Sequence, residues 1–318
     1  MSAVENQTVH VVVDEPDMFE YRKLLAQQAP ELKVTLCEEP ALPPPEIAEA
    51  EILLTWRPHP QVLQGMPKLK WIHSTGAGVE GILRCQHFSP TVTLTRTGQM
   101  AGRLMAEYVI GFILAHSFQL PLIAENQKQH RWQLFKVLPI QHRRCMILGM
   151  GEIGREIAQL CQAIGLQVTG VSRNGGEMVD GIPDYPIAEL DTLLPQIDIL
   201  VVVVPLTSET EGMIDSYRLR LLPQHALLMN ISRGPVVVEA DLIAALQDGS
   251  LGAAVLDVFD REPLPADSVL WDMPNVMITP HIAGPYDPEF CTRSFLENLD
   301  RYLAGKKLNH RVDASKEY

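Results

Sequence analysis

Long apolar runs, paired cysteines and an excess of basic residues are all missing from this sequence. The longest strongly apolar stretch, Ile199 to Val204, is far short of the roughly 20 residues that a membrane-spanning helix needs, so no membrane partner is expected. The five cysteines, Cys37, Cys85, Cys145, Cys161 and Cys291, form no C-x-x-C pair and no metal-ligand spacing. That excludes a disulfide scaffold, leaves a metal without ligands and points to a reducing compartment. Met1 to Thr8 lack the basic start and apolar core of a secretory signal, so a cytoplasmic location is expected. Lys and Arg number 26 against 39 Asp and Glu, for a formal charge of −13, and a field of that sign repels nucleic acid. What is present is a chain of 318 residues, 46% of them hydrophobic, which is enough for two packed cores and too much for a disordered or collagen-like protein. A small-molecule protein is expected. An anionic ligand must then be held by local cations or backbone N–H groups.

Short β-branched runs alternate with helical patterns from the start: Val9–Val13, a helix over Met18–Ala29, then Lys33–Cys37, Ile52–Thr55 and Trp71–Ser74. This is the rhythm of a parallel sheet with crossover helices. The first α/β unit ends near residue 95. Gln99 to Gln119 reads as one long apolar helix with Arg103 and Glu107 as its few charges, suited to a connection between domains. A second unit opens with a strand at Cys145–Leu148, followed by Gln167–Val171, Ile197–Val204, Ala226–Asn230, Ala253–Val258 and Val276–Thr279. These are mostly continuous apolar runs, as expected where both faces of a sheet are covered. A helix over Pro288–Leu303 is expected to return to the first unit. The predicted domains are therefore 1–99 with 286–318, and 100–285.

Gly149-Met150-Gly151-Glu152-Ile153-Gly154 follows a strand and opens a helix, the context that gives a dinucleotide fingerprint its meaning. Gly149 permits the tight turn, Gly151 lets the backbone approach a pyrophosphate, and Gly154 lets the helix pack closely on the sheet. About twenty residues on, where an NAD-selective site carries an acid for the ribose hydroxyls, stand Ser172 and Arg173. A hydroxyl with a guanidinium suits a 2′-phosphate, so NADP (as NADPH) is preferred and NAD remains possible.

Three ionisable residues each lie just beyond a strand of the second unit, on the edge where open α/β sheets bind ligands. Arg233 offers a planar guanidinium that can clamp a carboxylate. His281 offers an imidazole, the side-chain type suited to passing a proton to a carbonyl oxygen, and Glu262 can fix its tautomer. Taken singly, each has an ordinary explanation as a surface or core residue; their joint placement favours catalysis.

Together these segments resemble the D-isomer-specific 2-hydroxyacid dehydrogenases over essentially the whole chain. The resemblance rests on Ser74-Thr-Gly-Ala-Gly-Val-Glu80, Met105-Ala-Glu-Tyr108, the glycine turn, Asn230-Ile-Ser-Arg-Gly234, Leu256-Asp-Val-Phe-Asp-Arg-Glu-Pro263 and Pro280-His-Ile-Ala-Gly284. It implies an α/β protein of two doubly wound parallel-sheet domains, with a Rossmann cofactor domain inserted into a smaller flavodoxin-like substrate domain. It further implies His281 as general acid–base, Glu262 as its partner, and Arg233 with the backbone N–H groups of Ala77 and Gly78 on the substrate carboxylate. Val204, Pro205, Ile231, Ser232 and Gly284 would line the cofactor site, with Asp257 near the nicotinamide amide. Arg57 is a candidate second polar contact for the substrate, and Trp132 and Tyr286 are candidates for its border. The pattern is most similar to that of the NADPH-dependent glyoxylate and hydroxypyruvate reductases, in which a small 2-keto acid becomes the D-2-hydroxy acid. A homodimer is the family expectation. Two alternatives remain: a reductase of broad or bulky 2-keto acids, and a cofactor-sensing protein without turnover. A glycine-rich methyltransferase would leave Arg233, Glu262 and His281 unexplained.

Overall fold

The computed structural model describes residues 9–98, 101–284 and 287–314. They fall into two compact units, one within Met1–Gly98 and Tyr286–Tyr318, the other within Gln99–Pro285.

In the first unit, β1 (His10–Asp14), β2 (Lys33–Leu36), β3 (Ile52–Thr55), β4 (Trp71–Ser74) and β5 (Thr93–Arg96) form a parallel sheet in the order β2-β1-β3-β4-β5. This is the flavodoxin-like order. Because successive side chains point to opposite faces, Val11, Val13, Ile52, Leu54 and Trp71 pack on one side with Tyr21, Leu25, Phe295 and Leu299. Val12, Leu53, Ile72 and Leu94 pack on the other with Ile47, Val62, Leu63 and Ile82. The Pro288–Leu303 helix starts where Asp287 accepts hydrogen bonds from the amides of Glu289 and Phe290, a side-chain N-cap followed by proline at the first helical position. It docks through stacked rings: the Trp71 indole lies 5.2 Å from Phe295 and 5.4 Å from Tyr302 between centroids.

The second unit holds β6 (Arg144–Leu148), β7 (Gln167–Ser172), β8 (Asn174–Val179), β9 (Ile182–Pro186), β10 (Ile199–Val202), β11 (Leu227–Asn230), β12 (Ala253–Leu256) and β13 (Val276–Ile278). Their order is β13-β12-β11-β10-β6-β7-β9-β8, and every pair is parallel except β8 with β9. The strand order reverses at β6, the position at which doubly wound sheets bind dinucleotides. Register fixes what stands there. Val171, Leu148, Val202, Asn230, Leu256 and Ile278 pair in one row across the sheet. The residues that follow each strand therefore leave from a single edge.

One expectation is corrected and one element is added. The long helix expected over Gln99–Gln119 runs over Ala101–Ser117, and a second helix, Leu120–Lys128, leaves it at 58°. The break falls at Gln119, whose φ of 50° is left-handed, with Pro121 unable to donate into a continuing helix. Residue 99 lies outside the described residues. Among those described, no single helix is long and apolar enough to cross a membrane. The segment 174–186, assigned no strand from the sequence pattern, is a hairpin turned by Asp180 and Gly181, both at positive φ. Asp-Gly between strands is a strong hairpin signal, masked in this chain by Gly175, Gly176, Pro183 and Pro186 in the flanks.

Candidate active site

The glycine turn leaves β6 and enters the Glu152–Ala163 helix. Gly149 has φ of 114° and a Cβ there would lie 2.8 Å from the Val203 carbonyl oxygen, so the position requires glycine on both counts. A Cβ at Gly154 would lie 1.7 Å from the Gly149 oxygen, which fixes how closely the helix meets the turn. Gly151 differs: its φ is −73°, and a Cβ would meet nothing within 4 Å. Nothing in the chain itself explains a glycine there, whereas a pyrophosphate against the helix start does. The residues present thus fit a dinucleotide. Gly151→Val is expected to weaken dinucleotide binding about 10–100-fold with unfolding free energy essentially unchanged, measured by fluorescence titration and denaturation.

Around the turn, the expected cofactor residues take distinct surroundings. Glu152 is exposed and Ile153 half-buried. The Met150 side chain is buried against Gly170, so only its backbone faces the turn. Ser172 ends β7 and donates to Asp184 Oδ2 at 2.8 Å. Arg173 Nη2 pairs with Glu209 Oε2 at 2.8 Å. Val204 is half-buried, Pro205 exposed and Ile231 buried. Gly284 lies near Met105, whose sulfur would be 3.9 Å from a Cβ there.

The ionisable residues beyond β11, β12 and β13 are built by short loops. After β11, Asn230 Oδ1 accepts from the Ser232 amide and hydroxyl while its Nδ2 donates to the Arg233 carbonyl at 3.0 Å. This folds the loop under the half-buried Arg233, whose Nη1 donates to the Ser232 carbonyl. The next residue, Gly234, lies so close to the Phe259 carbonyl carbon that a Cβ would be 2.0 Å from it. The Arg233 loop is thereby pressed on the loop after β12. There the Glu262 carboxylate accepts from the Phe259 amide at 3.2 Å and meets His281 Nδ1 at 2.8 Å. Both side chains are mostly buried, with 22% and 25% exposed. The pair brings together two of the three expected catalytic residues. A carboxylate on Nδ1 selects the tautomer and presents Nε2 as the nitrogen that exchanges a proton.

In the first unit, Ala77 and Gly78 are half-buried in the loop after β4. The Ser74 hydroxyl donates to the Gly76 carbonyl at 3.1 Å and so tightens that loop. Arg57 is exposed, with its guanidinium 4.3 Å over the Trp56 ring. Trp56 in turn closes on Gly76, and the Arg57 stem closes on Gly81. Arg57 is therefore held against the Ala77–Gly78 loop. Trp132 is 95% exposed and borders nothing in its own unit. Tyr286 lies outside the described residues.

Residues 110–283 match the NAD-binding domain of the D-isomer-specific 2-hydroxyacid dehydrogenases. The chain belongs to this family. This dehydrogenase is 33% identical to glyoxylate/hydroxypyruvate reductase A of Klebsiella pneumoniae over 279 residues, 85% of this chain and 88% of the relative. Its fold matches an NADPH-dependent glyoxylate/hydroxypyruvate reductase of Sinorhizobium meliloti, solved with NADP and sulfate, at a TM-score of 0.89 and 30% identity over 98% of this chain and all of the other. A family member from Xanthobacter autotrophicus, solved with NADPH and MES, gives 0.89 and 31% over the same shares.

Two features of the dehydrogenase escaped sequence reasoning. Asp257, 1% exposed, is expected near a nicotinamide amide, but its carboxylate accepts from the amides of Ile282 and Ala283 and from the Thr279 hydroxyl, while its carbonyl accepts the His281 amide. His281 has a left-handed φ of 55°, uncommon for a residue with a Cβ, and Asp257 grips the turn on both sides of it. The chain's own donors thus tie that carboxylate to the His281 turn. A buried acid five residues before Glu262 was the available signal.

The second feature is Glu15, 3% exposed, which accepts the Thr75 hydroxyl at 2.6 Å and leaves Oε2 without a hydrogen-bond partner. Burial lifts this carboxyl from 4.5 to about 7. A folded-state value above the unfolded one means that the native form holds the proton longer, so stability falls as pH rises from about 4.5 to about 7. Relative to Glu15→Gln, the wild-type chain is expected to lose about 3 kcal/mol across that window, measured by urea unfolding at a series of pH values.

Proposed function

We propose that this dehydrogenase reduces glyoxylate and hydroxypyruvate with NADPH to the D-2-hydroxy acids. The observation that carries the reading is the half-buried His281–Glu262 pair, on the same sheet edge as the glycine turn. The cofactor supplies a hydride for C2 of the keto acid when it is bound. We assign Gly149, Gly151 and the start of the Glu152–Ala163 helix to the pyrophosphate, and Ser172 and Arg173 to the 2′-phosphate end. Val204, Pro205, Ile231, Ser232 and Gly284 are assigned to the cofactor site. His281, protonated and aligned by Glu262, gives its proton to the oxygen as negative charge develops there. Arg233 holds the carboxylate and polarises the carbonyl, since a planar guanidinium binds a carboxylate through two parallel N–H bonds. For Ala77, Gly78 and Arg57 we propose substrate binding. Placement of NADP is supported by the absence of an acid at the end of β7 and by the ligands of the Sinorhizobium and Xanthobacter proteins.

The test is an initial-rate comparison of NADPH and NADH with glyoxylate, hydroxypyruvate, pyruvate and phenylpyruvate. The highest kcat/KM is expected for NADPH with the two small acids named. Preference for phenylpyruvate would move the protein to bulky substrates, and cofactor binding without turnover would make it a sensor.

The partner we propose is a second copy of the chain. Phe118, Leu120, Ile123, Trp132 and Leu134 are all exposed within one segment, and exposed apolar side chains grouped together are the mark of an interaction surface. The wild-type chain is expected to sediment at twice its 35.4 kDa, and the double variant Trp132→Glu, Leu134→Glu as a monomer. A cytoplasmic location is supported by the five cysteines, all unpaired and four of them buried.

A further inference from the structure

The 2′-phosphate end contains two acids as well as its hydroxyl and guanidinium. Ser172 donates its only hydroxyl proton to Asp184 Oδ2 at 2.8 Å, so it can donate to a phosphate only by giving up that bond. Asp184 is fixed in this arrangement because it sits on β9 beside β7, with its other oxygen buried. Attraction for a 2′-phosphate then rests on Arg173, whose Nη2 meets Glu209 Oε2 at 2.8 Å. Glu209 belongs to the loop after β10. That loop is braced from within: Thr210 Oγ1 accepts from the Thr207 amide at 2.8 Å and donates to the Pro205 carbonyl, and both threonines are buried. The Glu209 side chain itself is 65% exposed and the Arg173 side chain 44%. An ion pair so exposed is weak and exchanges readily with another anion.

We propose that Glu209 is a specificity-determining residue, the counter-ion that a 2′-phosphate must displace from Arg173. This rests on the NADPH reading given above. With a cofactor lacking the phosphate, Glu209 stays on Arg173 and no ion pair has to be exchanged. With the phosphate present, the carboxylate swings into solvent and the guanidinium turns its donors to the new anion. Glu209 therefore moderates the preference for NADPH.

The test is calorimetric titration of wild-type, Glu209→Gln, Arg173→Gln and the double variant with two probes, adenosine 2′,5′-bisphosphate and adenosine 5′-monophosphate. The wild-type chain is expected to bind the bisphosphate more tightly than the monophosphate. Glu209→Gln is expected to tighten the bisphosphate about threefold to fivefold, leave the monophosphate unchanged, and lose its effect when Arg173 is already Gln. If the wild-type chain favours the bisphosphate but Glu209→Gln has no effect on it, weakens it, or tightens both probes alike, the inference is overturned while the NADPH reading stands. If the wild-type chain does not distinguish the probes, the NADPH reading fails and takes the inference with it.

Discussion

His281→Ala is expected to lower kcat for hydroxypyruvate reduction about 10²–10⁴-fold while NADPH affinity changes by less than about twofold. Reduction of a ketone places negative charge on oxygen, and a proton supplied from a held imidazole removes it as it forms. The structure shows why this residue is suited to the task. The His281 Nδ1 is 2.8 Å from Glu262, which fixes the ring's orientation. Its backbone is locked in a left-handed conformation by Asp257. The imidazole is therefore aligned from the side chain and from the main chain independently, and alanine removes the ring without removing either support. Kinetics with both single-turnover and steady-state readouts check the split. A variant that kept wild-type kcat would remove His281 from the chemistry, and one that lost cofactor affinity equally would make its role structural.

Arg233→Ala is expected to reduce kcat/KM for the same substrate about 30–3,000-fold, equivalent to the roughly 2–5 kcal/mol lost when one partner of a desolvated charge pair is truncated. The guanidinium is half-buried and braced by its bond to the Ser232 carbonyl, on a loop that Asn230 ties together and Gly234 presses onto the Phe259 backbone. Its orientation is set before substrate arrives, so little ordering cost offsets the carboxylate contact. Arg233→Lys keeps the charge but not the fork, and is expected to recover only part of the loss. The check is kcat/KM for both variants alongside their unfolding curves. Equal and full activity in both would contradict a carboxylate clamp, whereas a large loss in Ala with full recovery in Lys would show that charge alone is needed.

The second unit was legible because its central strands are continuous apolar runs, and parallel pairing of such runs leaves their ends in one row. That row is what makes Gly149, Arg233, Glu262 and His281 neighbours of strand ends rather than isolated residues. Ser172 and Arg173 were legible as residues but not in their circumstances. Asp184 and Glu209, which pair with them, come from a hairpin and a loop that no periodicity marks. Asp257 shows the same limit: a carboxylate that gathers backbone donors is recognisable only when the turn that brings those donors to it is seen. Glu15 is a carboxyl at the end of an apolar strand, and sequence does not reveal that Thr75 and the loop around Trp56 close over it. The break at Gln119 is local backbone geometry that hydrophobic spacing does not encode, since the apolar positions run on through it.

The most direct measurement is the fate of a deuterium label: hydroxypyruvate is reduced with NADPH carrying deuterium at both positions of the reactive nicotinamide carbon, and the glycerate formed is examined by mass spectrometry and chiral chromatography. The account predicts D-glycerate with the label retained on C2 and a proton from water on its oxygen. L-glycerate, or glycerate without label at C2, would contradict it.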